Sequence, residues 1–361
     1  MSFIFSATSN LNDSKYGALE MPIKMLIEAE SDLAQKKTGA LTALFNIEKS
    51  NRYAEGIQYQ DRFGGFTYAA EGSAAETDGF MDTYSKMFEH IPYMKEFVIT
   101  KQMLDDSVIG IGVDAKRRVQ NFVRAYYLTL NKAAEQAFAN ARKGSMIFNK
   151  ANISLTTADN KPLFDTKHMY GCSITHVDGT QSNLFGCNRY NGENKKLTIT
   201  DVENAIYKGM TALRNMKDEN GEVMGYNADT IIIPGNMPLL EKYVKQVIGS
   251  QYDPTGMGNG INVSYGNWKL VILPSWQYEI SENEAAQTYP IIVMSSEANR
   301  ALCGNMFFNR IPLSIKNWED PHTRNWIWNG YCRFSIGFAS YKHVVLVESY
   351  SSEETGDQTQ L

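Results

Sequence analysis

The fold is decided by residues 114–144, which read DAKRRVQNFVRAYYLTLNKAAEQAFANARKG. Apolar side chains recur there at three- and four-residue spacing and form one stripe along a helix. We predict a helix over 114–142, with Asp114 as its N-terminal cap and Gly144 just beyond its end. At 1.5 Å per residue such a helix is about 40 Å long, so we expect it to be a spine on which other elements pack.

The same segment is strongly basic. It carries two acidic side chains against seven basic ones, namely Lys116, Arg117, Arg118, Arg124, Lys132, Arg142 and Lys143. Two interpretations stay open: a surface facing nucleic acid, or a solvated helix face balanced by acidic neighbours. The whole chain has 35 basic and 40 acidic residues and a formal charge of −5, which argues against a dedicated nucleic-acid binder. No sequence-reading DNA motif is present.

Upstream of the helix, the sequence predicts an arm and a hairpin. Residues 51–100 mix aromatic residues with glycines and indicate two long strands, the second from Phe80 to Thr100, joined around Gly72–Gly79. A two-stranded ribbon is marginal in water, so we expect it to lie on a neighbour. Residues 19–45 have a helical pattern that includes Met21, Met25 and Leu26, and must dock on the body of the protein or on another chain.

Downstream, the pattern predicts a compact α/β region. Thr200 and Glu203 have the spacing of a capping box that opens a helix. We predict a buried strand over 230–233, another helix over 236–248, a strand beginning at Ile261, and strands over 268–273 and 291–294. The alternation in 332–338 predicts a half-buried strand, and 344–347 another. Residues 348–361 hold four acidic and no basic side chains and are expected to be a solvated tail.

The catalytic and metal-binding patterns are weak. Cys172 and His176 are a conceivable thiol and base, but no third residue orients them. Asp165, His168 and His176 have irregular spacing for a metal site. The glycines at 256, 258 and 260 do not precede a helix, as a phosphate loop requires. We therefore expect no enzyme activity, no cofactor and no metal.

From the cysteines, the N-terminus and the hydropathy we expect a cytoplasmic protein. Cys172, Cys187, Cys303 and Cys332 form no CxxC pair and fit a reducing compartment. Residues 1–5 lack the features of a secretory signal, and no window approaches about 20 apolar residues. We expect no membrane partner.

The predicted arm, hairpin, spine helix and α/β region follow one another along the chain. In this order they resemble the major capsid proteins of tailed bacteriophages, which have the Hong Kong 97-type fold. The resemblance covers essentially the whole chain. Within that family, the sequence pattern is most similar to the Mu-type head subunit and to capsid proteins of phages that infect Gram-positive bacteria. The motifs are FVITKQMLDD at 97–106, KPLFDTKH at 161–168, SNL at 182–184 and DTIIIP at 229–234.

The resemblance implies an α+β fold with an N-arm over 1–48, an E-loop hairpin over 49–100 and a P-domain over 101–197 that contains the spine helix. It also implies an A-domain over 198–300, with returning strands and the tail over 301–361. Loops near 250–260 and 275–289 would approach a hexamer or pentamer axis. The expected contacts between subunits are Met21, Met25, Leu26, Tyr59, Phe63, Phe66, Tyr68, Phe80 and Tyr84.

The implied function is a structural subunit that self-assembles into hexamers and pentamers of an icosahedral shell around double-stranded DNA. The virion capsid would be assembled in the bacterial cytoplasm, with separate scaffold and portal proteins and with decoration proteins as further partners. Lys116, Arg117, Arg118 and Arg124 would be the residues that face the genome, through non-specific contact.

One departure from the family concerns covalent linkage. Some relatives link the E-loop through a lysine, but residues 50–85 contain none, so we expect non-covalent contacts. Two rival functions stay open: an encapsulin-type compartment with the same fold but protein cargo, and a cytoplasmic thiol hydrolase that uses Cys172 or Cys187.

Overall fold

The computed structural model describes residues 4–6, 39–60, 68–69, 71–74, 82–102, 113–170, 179–189, 196–252, 260–262, 264–281 and 287–350. Its helices are α1 Ala40–Leu44, α2 Val113–Ala139, α3 Ile199–Arg214, α4 Pro238–Gly249 and α5 Ser296–Ala301. Its first eight strands are β1 Ile4–Ser6, β2 Asn46–Lys49, β3 Ala54–Gln60, β4 Asp82–Glu89, β5 Ile91–Ile99, β6 Ser145–Phe148, β7 Ala151–Ser154 and β8 His168–Met169. Its other strands are β9 Thr180–Gln181, β10 Leu184–Asn188, β11 Thr230–Pro234, β12 Lys269–Leu273, β13 Tyr289–Met294, β14 Asn305–Glu319, β15 Trp326–Phe338 and β16 Val344–Tyr350.

The chain folds into two compact units, and each draws on separate parts of the sequence. Unit one comprises Met1–Glu55, Phe88–Ala134 and Phe307–Ile336. Unit two comprises Gly56–Met87, Glu135–Met306 and Gly337–Leu361. Each unit therefore needs segments that are distant in sequence before its core can close.

Unit one is built on a sheet in the order β1–β14–β15–β5, with β2 also paired to β14. Strand β5 runs antiparallel to β15 over nine residue pairs, from Ile99 opposite Trp326 to Ile91 opposite Phe334. The Phe97 ring packs against Phe122 of α2, at 4.9 Å between ring centroids. A Cβ atom on Gly330 would lie 2.4 Å from the Phe122 ring, so the glycine allows the helix to approach the sheet closely.

Unit two contains a mixed sheet in the order β10–β16–β13–β11–β12. Alternate residues of β11, β13 and β16 join the apolar side chains of α3 and α4 in one core. On α3, a Cβ atom at Gly209 would lie 2.8 Å from Val293, so the helix lies tightly against the sheet. Burial of these aliphatic side chains, at about 25 cal/mol per Å² of apolar surface, is the main source of this unit's stability.

Three small two-stranded sheets complete the described structure: β3–β4, β6–β7 and β8–β9. The β3–β4 pair is the hairpin expected from the sequence, but its second strand is shorter than predicted. Strand β4 ends at Glu89, and Ile91–Ile99 belongs to the sheet of unit one. The apolar and β-branched residues of 91–99 pair with β15 and do not extend the ribbon.

The spine helix is confirmed, with different ends. It begins at Val113 and ends at Ala139, so Asp114 lies in its first turn and does not cap it. The amide of Lys143 donates to the carbonyl of Asn140 at 2.8 Å. This tight turn supplies a hydrogen bond to a carbonyl just past the helix end, so Gly144 is not needed there as a left-handed residue.

The predicted capping box is wrong by two residues. The N-cap of α3 is Thr198, whose hydroxyl accepts from the Asp201 amide while the Asp201 carboxylate accepts from the Thr198 amide. Thr200 and Glu203 lie inside the helix. Both alternatives have the same chemistry and a three-residue spacing, so the sequence pattern did not distinguish them.

Smaller corrections concern strand ends. Residues 348–350, expected in the solvated tail, are the last three residues of β16, and Ser349 is fully buried. The strand predicted from Ile261 is a single bridge to Tyr252 among the described residues. The strand predicted over 332–338 is confirmed as part of β15, but it is not half-buried there: the side chains alternate from Trp326 to Arg333, and 334–338 are all buried. Of the helix predicted over 19–45, the described residues include only 39–45, of which Ala40–Leu44 is helical.

Candidate interaction surfaces

The hairpin β3–β4 exposes large apolar side chains. Tyr68, between the two strands, is 93% exposed, and Met87 on β4 is 68% exposed. Tyr84 is half-buried, and its hydroxyl lies 3.8 Å from the Met169 sulfur. Of the predicted contact residues, Tyr68 and Tyr84 are thus placed on this hairpin, and Tyr68 is open to solvent.

The other predicted contact residues lie outside the described side chains. They are Met21, Met25, Leu26, Tyr59, Phe63, Phe66 and Phe80. Their role stays a prediction.

Within unit two, a lysine of β4 bonds to the last residue of β7 and to the residue two positions beyond that strand. Lys86 is buried, and its Nζ donates to Ser154 Oγ and Thr156 Oγ1, each at 3.0 Å. Both partners are neutral, and burial lowers the pKa of the Lys86 amine to about 8. The strand is thus held by a cation for which the described residues supply hydroxyl groups and no carboxylate.

Within unit one, the root of the hairpin is a buried polar cluster around His90, the residue between β4 and β5. Its Nε2 lies 2.9 Å from Ser50 Oγ, and its Nδ1 lies 3.0 Å from Ser335 Oγ on β15. The Ser50 hydroxyl donates to a carboxylate oxygen of Glu55 at 2.6 Å. Three segments of the chain, around residues 50–55, 90 and 335, thus meet at this cluster.

Sequence reasoning did not single out Lys86 and His90. One signal could have found them: Lys86, Phe88 and His90 are buried, while Ser85, Met87 and Glu89 are exposed. A strand period of two predicts that the polar residues of this set face inward with Phe88. Their partners are up to 245 positions away in sequence, and no local pattern identifies those.

The basic face of α2 is solvent-exposed where it is described. Arg117, Arg118 and Arg124 are exposed, and Arg118 donates from its guanidinium to the Val98 carbonyl at 2.8 Å. The side chain of Lys116 lies outside the description. Leu128 on the same helix is 67% exposed, so this face combines charge with apolar surface.

In the candidate metal site, His168 has no ring nitrogen available for a metal. His168 is fully buried, with Nδ1 at 2.7 Å from Asp159 and Nε2 at 3.2 Å from the Leu163 carbonyl, so both ring nitrogens are occupied. Asp165 accepts from the Lys167 amide, and His176 lies outside the described residues. Nowhere in the described ranges do three or more His, Cys, Asp or Glu side chains gather as metal ligands.

Asp159 and His168 instead form a structural pair. Burial opposes ionisation of Asp159 and is the largest single effect on it. Hydrogen bonding and electrostatic attraction from His168, with hydrogen bonds from Thr157 and the Lys161 amide, together outweigh burial, so the pKa of the carboxyl lies below its usual value. The His168 ring stacks on Tyr341 at 3.9 Å between centroids. A histidine enclosed in this way has no free lone pair for a ligand.

Of the two candidate thiol nucleophiles, the structure describes Cys187, and its surroundings do not favour a nucleophile. Cys187 is half-buried, and burial raises the pKa of its thiol, whereas a nucleophilic cysteine needs a lowered pKa. Cys172 and His176 lie outside the described residues, as do Gly256 and Gly258. Gly260 leads into the bridge between Ile261 and Tyr252.

Among the helices that the structure describes, none has both the length and the apolar character that a bilayer crossing requires.

Comparison with solved structures identifies the fold. The capsid structure of the cyanophage P-SCSP1u matches with a TM-score of 0.50 and 9% sequence identity, covering 86% of this chain and 87% of that chain. The capsid of an empty GTA particle matches with a TM-score of 0.48 and 10% identity, covering 87% and 90%. The capsid of the Myoviridae phage XM1 matches with a TM-score of 0.48 and 11% identity, covering 86% and 92%.

No protein-family model matches the sequence, and no curated protein matches it. The similarity is therefore one of structure. The cyanophage match confirms the expected fold class, the α+β capsid fold of Hong Kong 97 type, over most of both chains.

Proposed function

We propose that this chain is the major capsid subunit of a tailed phage, which self-assembles into hexamers and pentamers of an icosahedral shell around double-stranded DNA. The observation that carries the proposal is the capsid fold, matched over 86% of the chain. Fold alone does not fix function, and the hairpin supplies a second argument. A two-stranded ribbon with an exposed Tyr68 and Met87 has apolar surface that a neighbouring copy would bury.

Repetition explains how modest contacts would suffice. A specific contact between two proteins buries about 1,600 Å² in total, and in a closed symmetric shell each subunit repeats the same contacts around itself. The fraction of subunits assembled into shells would then increase with the subunit concentration, by mass action. The N-arm, E-loop, P-domain and A-domain boundaries given above belong to this proposal. So do the expected contact residues, which are Met21, Met25, Leu26, Tyr59, Phe63, Phe66, Tyr68, Phe80 and Tyr84.

The partners follow from the same proposal. Scaffold and portal proteins would be separate chains, and the shell would form in the bacterial cytoplasm and end in the virion. Lys116, Arg117, Arg118 and Arg124 would contact packaged DNA through its phosphates, without sequence preference. We propose no catalytic role, and the raised pKa of the Cys187 thiol supports this against the thiol hydrolase.

The deciding experiment is electron microscopy and sedimentation of the purified chain. We expect closed shells, or rings of five and six subunits. A stable compact monomer at high concentration would overturn the proposal.

A variant series tests whether the hairpin carries the contacts. Tyr68→Ser and Met87→Ser should each reduce shell yield at least about tenfold, while thermal unfolding of the subunit stays unchanged. Val223→Ser is the matched control, because Val223 is also exposed but lies outside the hairpin. Equal losses in all three variants would argue against a specific role of the hairpin.

The particle contents separate the phage subunit from the encapsulin-type compartment. Nuclease-protected double-stranded DNA in particles isolated from the producing cell supports the capsid. A co-purifying cargo enzyme, with no DNA, supports the compartment.

A further inference from the structure

The hairpin begins and ends at one buried cluster in unit one. The chain leaves β2 at Ser50 to enter the hairpin, and it returns at His90 to enter β5. Ser50, His90 and Ser335 are each at most 5% exposed. The imidazole therefore connects the start of the hairpin, its end and the sheet strand β15.

The hydrogen-bond directions can be assigned along this cluster. A carboxylate only accepts, so the Ser50 hydroxyl must donate to Glu55. The Ser50 oxygen then accepts from the Arg52 amide at 3.2 Å and from His90 Nε2–H at 2.9 Å. It follows that Nδ1 of the neutral ring is unprotonated and accepts from the Ser335 hydroxyl.

The surroundings of the ring disfavour a positive charge. Burial is the largest effect, and Arg310 on β14 and Arg333 on β15 add repulsion, so the pKa of His90 lies below its usual value although Glu55 acts in the opposite direction. Arg333 also donates from Nε to the His90 carbonyl at 2.9 Å. The Phe308 ring on β14 packs edge-to-face with the His90 imidazole, at 6.4 Å between the two ring centroids.

We propose that neutral His90 clamps the root of the hairpin to β15, and that protonation of the ring opens this clamp. A protonated ring carries N–H groups at both nitrogens, so Ser335 can no longer donate to Nδ1, and its hydroxyl must rotate so that the oxygen accepts instead. The new charge would remain buried beside two guanidinium groups. Opening the root to water would hydrate this charge and screen its repulsion by the two guanidinium groups.

The pH window follows from the direction of the shift. The pKa of His90 is lowered on folding, so the unfolded or opened state binds the proton more tightly. The clamp is fully formed above about pH 6.5, the ordinary histidine value. It weakens progressively as the pH falls below that value toward the lower pKa of the closed state.

Hydrogen exchange of the purified full chain tests the clamp. We compare peptides that cover 46–60 and 84–97 at pH 7.5 and pH 5.0, after correction for the intrinsic exchange rate. The wild type should lose protection in these peptides at least about threefold at pH 5.0, relative to peptides from β11 and β13. His90→Gln keeps an amide donor and a carbonyl acceptor but cannot titrate, so its protection should not change with pH.

Two further variants keep the test decisive. His322→Gln is the matched control, since His322 lies in an exposed turn of unit one and should behave like the wild type. Ser335→Ala removes the partner of Nδ1 and should loosen the same peptides already at pH 7.5. The proposal is overturned if His90→Gln keeps the acid response of the wild type, or if Ser335→Ala changes nothing.

The clamp goes beyond the proposed function and is independent of it. Exchange at the root is a property of one chain, so a chain that never assembles can still show it. The consequence for a shell, acid-labile hairpin contacts, rests on the proposed function and is measured separately as particle loss between pH 7.5 and pH 5.0.

Discussion

His343 and Gly304 show how closely single residues are fitted in unit two. His343 is fully buried, its Nε2 lies 2.8 Å from Asn305 Oδ1, and burial lowers its pKa to about 3. The ring occupies the space that a side chain at position 304 would need. A Cβ atom there would lie 2.3 Å from His343 Nδ1.

Gly304→Ala should therefore destabilise the protein by about 2 kcal/mol, because a buried ring must move to accept the methyl group. Chemical denaturation measures the loss. Gly249→Ala is the control, since nothing lies within 4 Å of a Cβ at that helical position and alanine favours a helix. Equal stability of the two variants would mean that the His343 ring is not confined.

At this scale the sequence predicts which residues face inward better than it predicts their partners. The alternation in 332–338 identified the strand and the buried Cys332, Phe334, Ile336 and Phe338, but Ser335 and Gly337, expected on the outer face, are buried as well. The period of two around Phe88 implies inward positions for Lys86 and His90. The bonds of Lys86 to Ser154 and Thr156 span 68 and 70 positions. Such pairs arise from the tertiary fold, so a single sequence contains no local signal for them.

The start of α3 gives a direct test at the scale of the element. Thr198→Ala removes the hydroxyl that accepts from the Asp201 amide, and should cost about 1 kcal/mol of stability. Thr200→Ala is the matched control, because Thr200 is an exposed residue within the helix. If Thr200→Ala proved the more destabilising substitution in urea unfolding, the cap would belong where the sequence pattern first placed it.

The attachment of β4 through Lys86 gives a second test. The pKa of Lys86 is lowered on folding to about 8, so between about pH 8 and the ordinary lysine value of about 10.4 the unfolded state binds more protons. This side chain therefore makes stability rise with pH over that window. The difference in unfolding free energy between wild type and Lys86→Met should rise in the same way.

The variant itself should remain folded. Ser154 Oγ and Thr156 Oγ1 lie 3.1 Å apart, so the two hydroxyls can satisfy each other when the amine is removed. A flat difference between the two proteins from pH 8 to 10 would show that the ammonium group is not buried as described.

Element types were predictable where the apolar pattern is long, and element ends were not. The 27 residues of α2 carry a stripe that only a helix can bury on one side. Its ends depend on turn geometry beyond Ala139, which the composition of 140–144 does not specify. The break between β4 and β5 depends on strand pairing with β15, and the sequence of 80–100 alone continues as one strand.

For the whole molecule, we expect a shell without covalent links at the hairpin. Residues 50–85 contain no lysine, and Lys86 is buried against its own unit. Boiled particles should give one band near 40.7 kDa on a denaturing gel, and chemically cross-linked particles serve as the control. A ladder of larger bands without cross-linker would contradict this expectation.

The order of elements carried the prediction of the whole fold. The predicted order of arm, hairpin, spine and α/β region resembles that of a capsid protein, and the described structure matches the fold of one at 9% identity. At such identity few side chains are shared, so what persists is the sequence of element types and their pairing. The division into two units from interleaved segments was not predicted, since no local pattern indicates which distant strands will pair.

That interleaving has a consequence during synthesis. Strand β16, residues 344–350, lies between β10 and β13 in the sheet of unit two. Until the ribosome has translated past residue 350, a nascent chain presents β10 and β13 without the strand that joins them, and unpaired strand edges invite aggregation. A message that stops before codon 344 should therefore yield insoluble product. During synthesis of the full chain, chaperones would bind the exposed strand edges until β16 emerges from the ribosome.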